Sequence, residues 1–351
     1  MIMDISINNK IIGCSKPVFI VAELSANHNQ KFNLAVKTIK AAKEAGADAI
    51  KLQTYTPDTI TIDCNNKYFQ INQGTLWDGK TLYELYQEAC TPWEWQPKLK
   101  KIAEDMGMIC FSSPFDKSAV DFLEDIDVPA YKIASFEITD IPLIEYVASK
   151  GKPIIISTGI ANVEDIVLAL ESCRRQGNEQ LALLKCTSSY PAPIEEVNLN
   201  VIPDMNSRFN VVTGLSDHTI GHTAAVGAVA LGARIIEKHF ILDRSYGGPD
   251  SAFSAEPTEF KEMVEEIRLL EKALGEASYD LTKNAKKSRE LCRSLFSVRD
   301  IKKGETLTSE NVRSIRPGFG LHPKHYNEIL GKKAKRSIKA GTPLSLELIL
   351  Y

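Results

Sequence analysis

The chain has 351 residues, of which 44% are hydrophobic and 25% charged, with 20 glycines, 16 prolines and a formal net charge of −3. This is the balance of a folded globular protein of one or two domains, and it excludes a disordered, collagen-like or Pro-rich chain. No apolar run approaches the roughly 20 residues that span a bilayer, and MIMDISINNK at the N-terminus lacks the apolar core of a signal peptide, so the expected location is the cytoplasm and no membrane partner is expected.

Residues 5–12 read as a short hairpin turning at Asn8 and Asn9. A run of eight short, apolar, β-rich segments follows: 17–26 (PVFIVAELSA), 49–53 (AIKLQ), 108–115 (MICFSSPF), 130–135 (AYKIAS), 153–159 (PIIISTG), 181–190 (LALLKCTSSY), 210–218 (NVVTGLSDH) and 234–242 (RIIEKHFIL). Each is apolar enough to be buried on both faces, as parallel strands are. Helical patterns alternate with them: 33–45, with Leu34, Ile39 and Ala42 on one side and Gly46 as a C-cap, then 93–106, 117–125, 140–150, 162–176, 222–232 and 257–274. Repeated strand–helix units predict an α/β protein built on a (β/α)8 TIM barrel. An open doubly wound sheet is the alternative, disfavoured by the strand count and by the lack of a Gly-rich dinucleotide loop.

An insertion of about 40 residues, 54–91, follows the second of these strands. Loops this long are usually functional or carry their own structure. With the helix after it, the insertion holds all three tryptophans, Trp77, Trp93 and Trp95. Together with Tyr83 and Tyr86 they can stack on a sugar ring, but amphipathic packing against the barrel is the stronger reading. Residues 276–293 are polar and Lys-rich and read as a linker. Residues 294–351 form short β-like pieces, in which DIKKGE and SIKAGTP resemble one another, a hint of a small pseudo-repeated module. The predicted organisation is hairpin plus barrel over 1–275, linker over 276–293, and β module over 294–351.

Charge is unevenly spread. From residue 283 onward there are 16 Lys/Arg against 6 Asp/Glu, whereas the remainder is acidic. The basic tail lacks the interleaved aromatics of a nucleic-acid platform, so no nucleic-acid partner is expected and docking onto an acidic surface is preferred. The seven cysteines are scattered, none at C-x-x-C spacing, and argue against a disulfide framework.

The active site of such a barrel forms at the C-terminal ends of its strands. The polar residues there are Glu23, Ser25, Asn27 and His28; Lys51 and Gln53; Ser112 and Ser113; Lys132, Ser135 and Glu137; Ser157 and Thr158; Lys185, Thr187, Ser188, Ser189 and Tyr190; Ser216, Asp217 and His218; Glu237, Lys238 and His239. A lysine inside an apolar strand is costly unless paired or set at a ligand. Lys51 and Lys132, ringed by hydroxyls, suit a phosphorylated anion; ion pairs with Glu23 or Glu237 are the alternative. His218 and His239 end adjacent strands and suit a divalent metal with open positions. Glu23 is the leading acid/base candidate, unless it serves only as a partner of Lys51 or Lys238. His28 is placed where it could touch substrate.

The segments AELSANHN, AIKLQ, FSSPF, YKIASFE, STGI, CTSSYP, GLSDHT and EKHF, in this order, resemble the sialic acid synthase family. The tail VRDIKKGE…IRPGFGLHP…LGKKAKRSIKAGTPL resembles its antifreeze-like (SAF, β-clip) domain. Within the family, LSANHN, the insertion and RPGFGLHPK look most like the pseudaminic acid branch.

The resemblance implies condensation of phosphoenolpyruvate with an N-acetylated amino-sugar aldehyde, with loss of phosphate. It implies a divalent metal, Mn2+ or Mg2+ with Co2+ as a further option, on His218 and His239. It assigns phosphoenolpyruvate to Lys51, Ser113, Lys132, Ser135, Ser157, Ser188 and Ser216. Acid/base and positioning roles fall to Glu23 and Glu137, and the sugar to Asn27, Tyr190, Asp250 and Arg316. It also implies a homodimer with swapped C-terminal domains. Ser188 stands where neuraminate-type members have Asn, which argues against N-acetylmannosamine as the sugar.

Overall fold

The computed structural model describes residues 4–72 and 74–350; residues 1–3 of the N-terminal stretch, 73 of the insertion and 351 of the β module lie outside the described residues. Two compact units divide between Gly275 and Glu276. No helix among the described residues is long and apolar enough to cross a membrane.

The first unit opens with the hairpin, β1 (Ile5–Ile7) antiparallel to β2 (Lys10–Ile12). Asn8 and Asn9 turn it with φ of 47° and 65°, the left-handed pair that a tight hairpin requires and that Asn tolerates. The eight predicted strands follow as β3 (Phe19–Glu23), β4 (Ala49–Thr54), β5 (Ile109–Pro114), β6 (Tyr131–Ile133), β7 (Ile154–Ser157), β8 (Leu181–Cys186), β9 (Val212–Asp217) and β10 (Ile235–His239). They pair in parallel in chain order, and β10 closes on β3 to complete the barrel.

Side chains alternate along each strand with period two. One set points into the barrel, where Phe19, Val21, Ala49, Ile109, Phe111, Ala130, Ile155, Ala182, Leu184, Val212 and Ile235 form a single apolar cluster. Ile5, Ile7 and Ile12 of the hairpin join that cluster, so the hairpin plugs the bottom of the barrel. The other set, including Ile20, Ile50, Leu215 and Ile236, packs against the surrounding helices. Counting upward in twos from the inner apolar residues reaches Glu23, Lys51, Gln53, Ser113, Lys132, Ser157, Cys186, Ser216, His218, Glu237 and His239. The same period puts Lys185, Asp217 and Lys238 on the outer face. Lys238 and Asp217 pair there at 2.6 Å, both buried.

The helices of this unit fall close to the predicted spans, and among the described residues three more are present, the shortest being Pro57–Ile60 in the insertion. Leu82–Ala89 lies within the insertion, and Val201–Phe209 joins β8 to β9. The latter has apolar Ile202, Met205 and Phe209 on one side, but Pro203 and Asn206 obscure the pattern. Pro203 sits in the first turn, where its missing N–H removes no helical bond.

The second unit begins with the residues read as linker, and they are not wholly irregular: Thr282 caps a helix over Lys283–Arg289 with no buried side chain. Beyond it, Ser294–Ser297 pairs with Val312–Ile315, and Lys333–Ala334 with Ile349–Leu350. The two similar phrases meet each other. Ile301 and Ile338 exchange backbone bonds of 2.8 Å in both directions. Gly304 and Gly341, each three residues further on, share φ near 80°, a conformation that favours glycine. The phrases thus form the two halves of one pseudo-symmetric module around Leu295, Ile301, Val312, Ile338 and Leu344.

Candidate active site

The inner polar residues converge on one cavity of about 330 Å3 at the C-terminal end of the barrel. Glu23, Lys51, Lys132, Ser135, Glu137, Ser157, Tyr190, Ser216, His218, His239 and Asp250 all line it. Asn27, Ser113 and Ser188 do not. Asn27 donates its amide hydrogens to the Phe240 carbonyl at 3.0 Å and to Ser254 Oγ at 2.8 Å, pointing away. Ser113 is on the inner face, fully buried, and its hydroxyl has no hydrogen-bond partner among the described residues. Ser188 stands behind the lining and donates to Ser135 Oγ at 2.8 Å. Arg316 belongs to the second unit, where it is exposed.

His28 is a structural residue. It is fully buried, its Nε2 bonds Thr91 Oγ1 at 3.1 Å, and its ring meets Trp95 edge-on. Burial pushes its pKa down to about 4. The tryptophans divide. Trp93 and Trp95 pack against Phe122 and Phe32, while Trp77 lines the cavity, donates to the Pro249 carbonyl at 2.9 Å and lies 5.6 Å from the Tyr190 ring.

Charged groups form a continuous chain across the floor. Lys51 Nζ sits 2.9 Å from Glu23 Oε1 and 3.3 Å from Glu237 Oε1. Lys132 Nζ lies 3.8 Å from the same Glu237 oxygen, which also accepts from Ser216 Oγ at 2.9 Å. Glu237 is therefore the hub between two buried ammonium groups. The ion pairs that the sequence offered as the alternative for Lys51 and Lys132 are thus formed, with Glu23 and Glu237 as their carboxylates. Gln53, named at its strand end but given no role by the sequence, donates to Glu23 Oε1 at 2.8 Å.

These neighbours set the proton affinities. Burial opposes charge on Glu23, but Lys51 and His239 outweigh it and hold the carboxyl well below the usual carboxylate range. For Lys51 burial is likewise overcome, by Glu23 and Glu237, and its pKa rises. Lys132 has weaker partners, so burial wins and its pKa falls. Glu137 differs most in character: burial pushes it up to about 7, and Lys132 offsets only part of the rise.

Several buried polar atoms on this floor lack hydrogen-bond partners among the described residues: Ser157 Oγ, Glu137 Oε2, Glu237 Oε2 and His239 Nδ1. Buried polar groups are normally bonded, and a cluster of exceptions in one cavity marks a place for a polar ligand. The His218 and His239 rings lie 5.2 Å apart. His218 Nδ1 faces the Thr187 carbonyl at 3.0 Å; a carbonyl accepts, so Nδ1 carries the hydrogen and, in the neutral ring, Nε2 keeps its lone pair. His239 Nε2 faces Glu23 Oε2 at 3.2 Å, while Nδ1 has no hydrogen-bond partner among the described residues and lies 3.9 Å from Asp250 Oδ2. No cluster of three or more His, Cys, Asp or Glu among the described residues is spaced to enclose a metal ion. Two imidazoles with free nitrogen lone pairs fit a divalent cation whose remaining positions go to water and substrate oxygens.

Residues 38–279 match the NeuB family, and residues 293–350 match the SAF domain. The chain is 52% identical to a pseudaminic acid synthase of Campylobacter jejuni, covering 94% of this chain and 96% of that one. It is 36% identical to an N,N'-diacetyllegionaminic acid synthase of Legionella pneumophila, covering 96% of each. Among solved structures, the N-acetylneuraminic acid synthetase of Leptospira borgpetersenii superposes with a TM-score of 0.74 at 33% identity, covering 82% of this chain and 95% of that one. The chain belongs to the NeuB family and carries a SAF domain at its C-terminal end.

Proposed function

We propose that the chain joins phosphoenolpyruvate to 2,4-diacetamido-2,4,6-trideoxy-L-altrose, giving pseudaminic acid and phosphate in the cytoplasm. The observation that carries this is the meeting, in one cavity, of two buried ammonium groups with two imidazoles that have free nitrogen lone pairs. Similarity to pseudaminic acid synthase supports the choice of sugar. A legionaminic or N-acetylneuraminic precursor is the alternative, supported by the more distant relatives.

In this reading Lys51, Lys132, Ser135, Ser157 and Ser216 receive the phosphate and carboxylate of phosphoenolpyruvate, with Ser113 and Ser188 supporting them from behind. Their ammonium and hydroxyl groups supply charge-assisted hydrogen bonds where an anion would otherwise be buried unpaired. His218 and His239 would hold a divalent cation, Mn2+ or Mg2+, whose chemistry is Lewis-acid polarisation of the aldehyde oxygen. C3 of phosphoenolpyruvate attacks the aldehyde carbon, water adds at C2, and the C2–O bond to phosphate breaks to leave the ketone. Glu137, near neutrality in its proton affinity, can give a proton to the aldehyde oxygen or take one from the entering water. Glu23, held anionic, positions Lys51 and His239. Tyr190 and Asp250 face the sugar, with Asn27 bracing the first loop.

The reading extends to a homodimer in which Arg316 of one copy serves the barrel of the other. The acidic barrel sequence and basic tail support it; a solution mass of one chain under assay conditions would contradict it. The catalytic test is phosphate release with phosphoenolpyruvate and each of the three sugars. Turnover of the trideoxy-altrose above the others is expected. Turnover of N-acetylmannosamine alone would overturn the assignment.

A further inference from the structure

The cavity has two faces of opposite character. The floor, built by the strand ends, is charged and hydroxyl-bearing. The segment between β4 and β5, with the first residue beyond β5, adds to the same cavity Ile60, Leu85, Tyr86, Ala89 and Phe115. The side chains of Ile60, Leu85, Ala89 and Phe115 carry no atom able to hydrogen-bond.

This wall is held firmly. Leu85 and Ala89 lie one turn apart on the helix Leu82–Ala89 and so share a face. A reciprocal capping box between Thr81 and Glu84 fixes that helix at its start. At the single turn Pro57–Ile60, Thr59 Oγ1 accepts from the Thr56 N–H at 2.9 Å and the Thr56 carbonyl accepts from the Thr59 N–H at 3.1 Å. Tyr55, almost fully buried, meets Tyr86 at 5.7 Å and Phe115 at 5.0 Å, both edge-on. Joining an enol phosphate to an aldehyde needs no carbon surface, and the floor already supplies every polar group that the chemistry uses. A hydroxyl directed at the wall would lose its water hydrogen bonds without replacement, whereas a methyl would leave water favourably.

We propose that Ile60, Leu85 and Ala89, with Phe115 and Tyr86 beside them, form the specificity surface of the site. They seat a methyl group of the acceptor sugar, so that the chain selects a methyl-bearing acceptor over one carrying a hydroxyl or hydrogen in that place. The inference rests on the functional reading above and names the part of the substrate this wall recognises. Two methyls have the required chemistry: the terminal methyl of a 6-deoxy sugar and the methyl of an acetamido group.

The test uses the full chain with Mn2+ and phosphoenolpyruvate, following phosphate release. The acceptors are 2,4-diacetamido-2,4,6-trideoxy-L-altrose, its 6-hydroxy counterpart and its diformamido counterpart. One of the two altered sugars should fall in kcat/KM by about 10- to 100-fold, the range for a methylene or hydroxyl change in an apolar pocket. Loss with the 6-hydroxy sugar assigns the wall to the terminal methyl, and loss with the diformamido sugar to the acyl methyl. Ile60→Asn and Ala89→Ser should shrink that ratio to about threefold or less, with KM for phosphoenolpyruvate within about twofold of wild type. These two keep the test valid if Leu85→Asn fails to fold. Equal kcat/KM for all three sugars overturns the proposal, as does unchanged discrimination in variants that melt like wild type. Phosphate release without discrimination removes only the wall's role; no phosphate release with any sugar removes the functional reading and the wall's substrate with it.

Discussion

Replacing Glu137 by Gln should alter stability and rate in a way that depends on pH. Burial raises this carboxyl from its ordinary 4.5 to about 7. Between those values the folded chain holds a proton that the unfolded chain has released. The contribution to stability is therefore complete below about pH 4.5 and is lost as pH rises through about 7. At 1.36 kcal/mol per pH unit the ceiling is about 3 kcal/mol. The residue is only partly shielded from solvent, so screening reduces the expected effect to about 1–2 kcal/mol. Gln has the same shape and never ionises. Thermal melts of both proteins at pH 5 and pH 8 should show the variant gaining a few degrees on wild type at the higher pH. In turnover, wild type should show a limb near pH 7, which the variant loses along with about 10²–10⁴ in rate. The same melting difference at both pH values, together with an unaltered limb, would refute the reasoning.

Lys51→Ala removes the ammonium shared by the buried carboxylates of Glu23 and Glu237 and should cost about 3–5 kcal/mol in stability, as seen by chemical denaturation; adding Glu237→Gln should recover part of that loss, and no recovery would mean that Lys51 and Glu237 are not coupled. His218→Ala and His239→Ala should each abolish turnover and weaken Mn2+ binding by titration while leaving melting nearly unchanged; near-normal turnover in either would remove it from the metal site. Arg316→Ala should raise KM for the sugar and leave KM for phosphoenolpyruvate unchanged; the reverse pattern would assign it the wrong substrate.

The barrel was legible because each strand is buried on both faces, and runs such as PIIIS and LALLKC stand out from their polar surroundings. The site was legible where a strand runs straight into it. Lys51, Lys132, Ser216 and His239 follow the inner apolar residues by even steps, so their direction is set by the pleat. It became illegible where the chain leaves the sheet. Ser25 takes φ of 47°, and Asn29 and Gln30 are also left-handed. Through that turn no periodicity carries over, and Asn27 and His28 face inward to Phe240 and Thr91 instead of the cavity. The insertion hid its role for a different reason. Leu85, Ala89 and Ile60 have the spacing of ordinary core residues, and nothing in sequence distinguishes an apolar face turned toward a neighbouring helix from one turned toward a ligand. The doubled phrases of the C-terminal module could be seen, but their pairing through Ile301 and Ile338 required the fold.

The central claim is that this cavity brings C3 of phosphoenolpyruvate to an aldehyde and then breaks the bond between C2 and its phosphate oxygen. It is tested most directly by phosphoenolpyruvate labelled with 18O in the bridging position, turned over with the sugar and analysed by mass spectrometry of both products. The account predicts that the label leaves with inorganic phosphate. Phosphate free of label, with the oxygen retained on the carbon product, would contradict it.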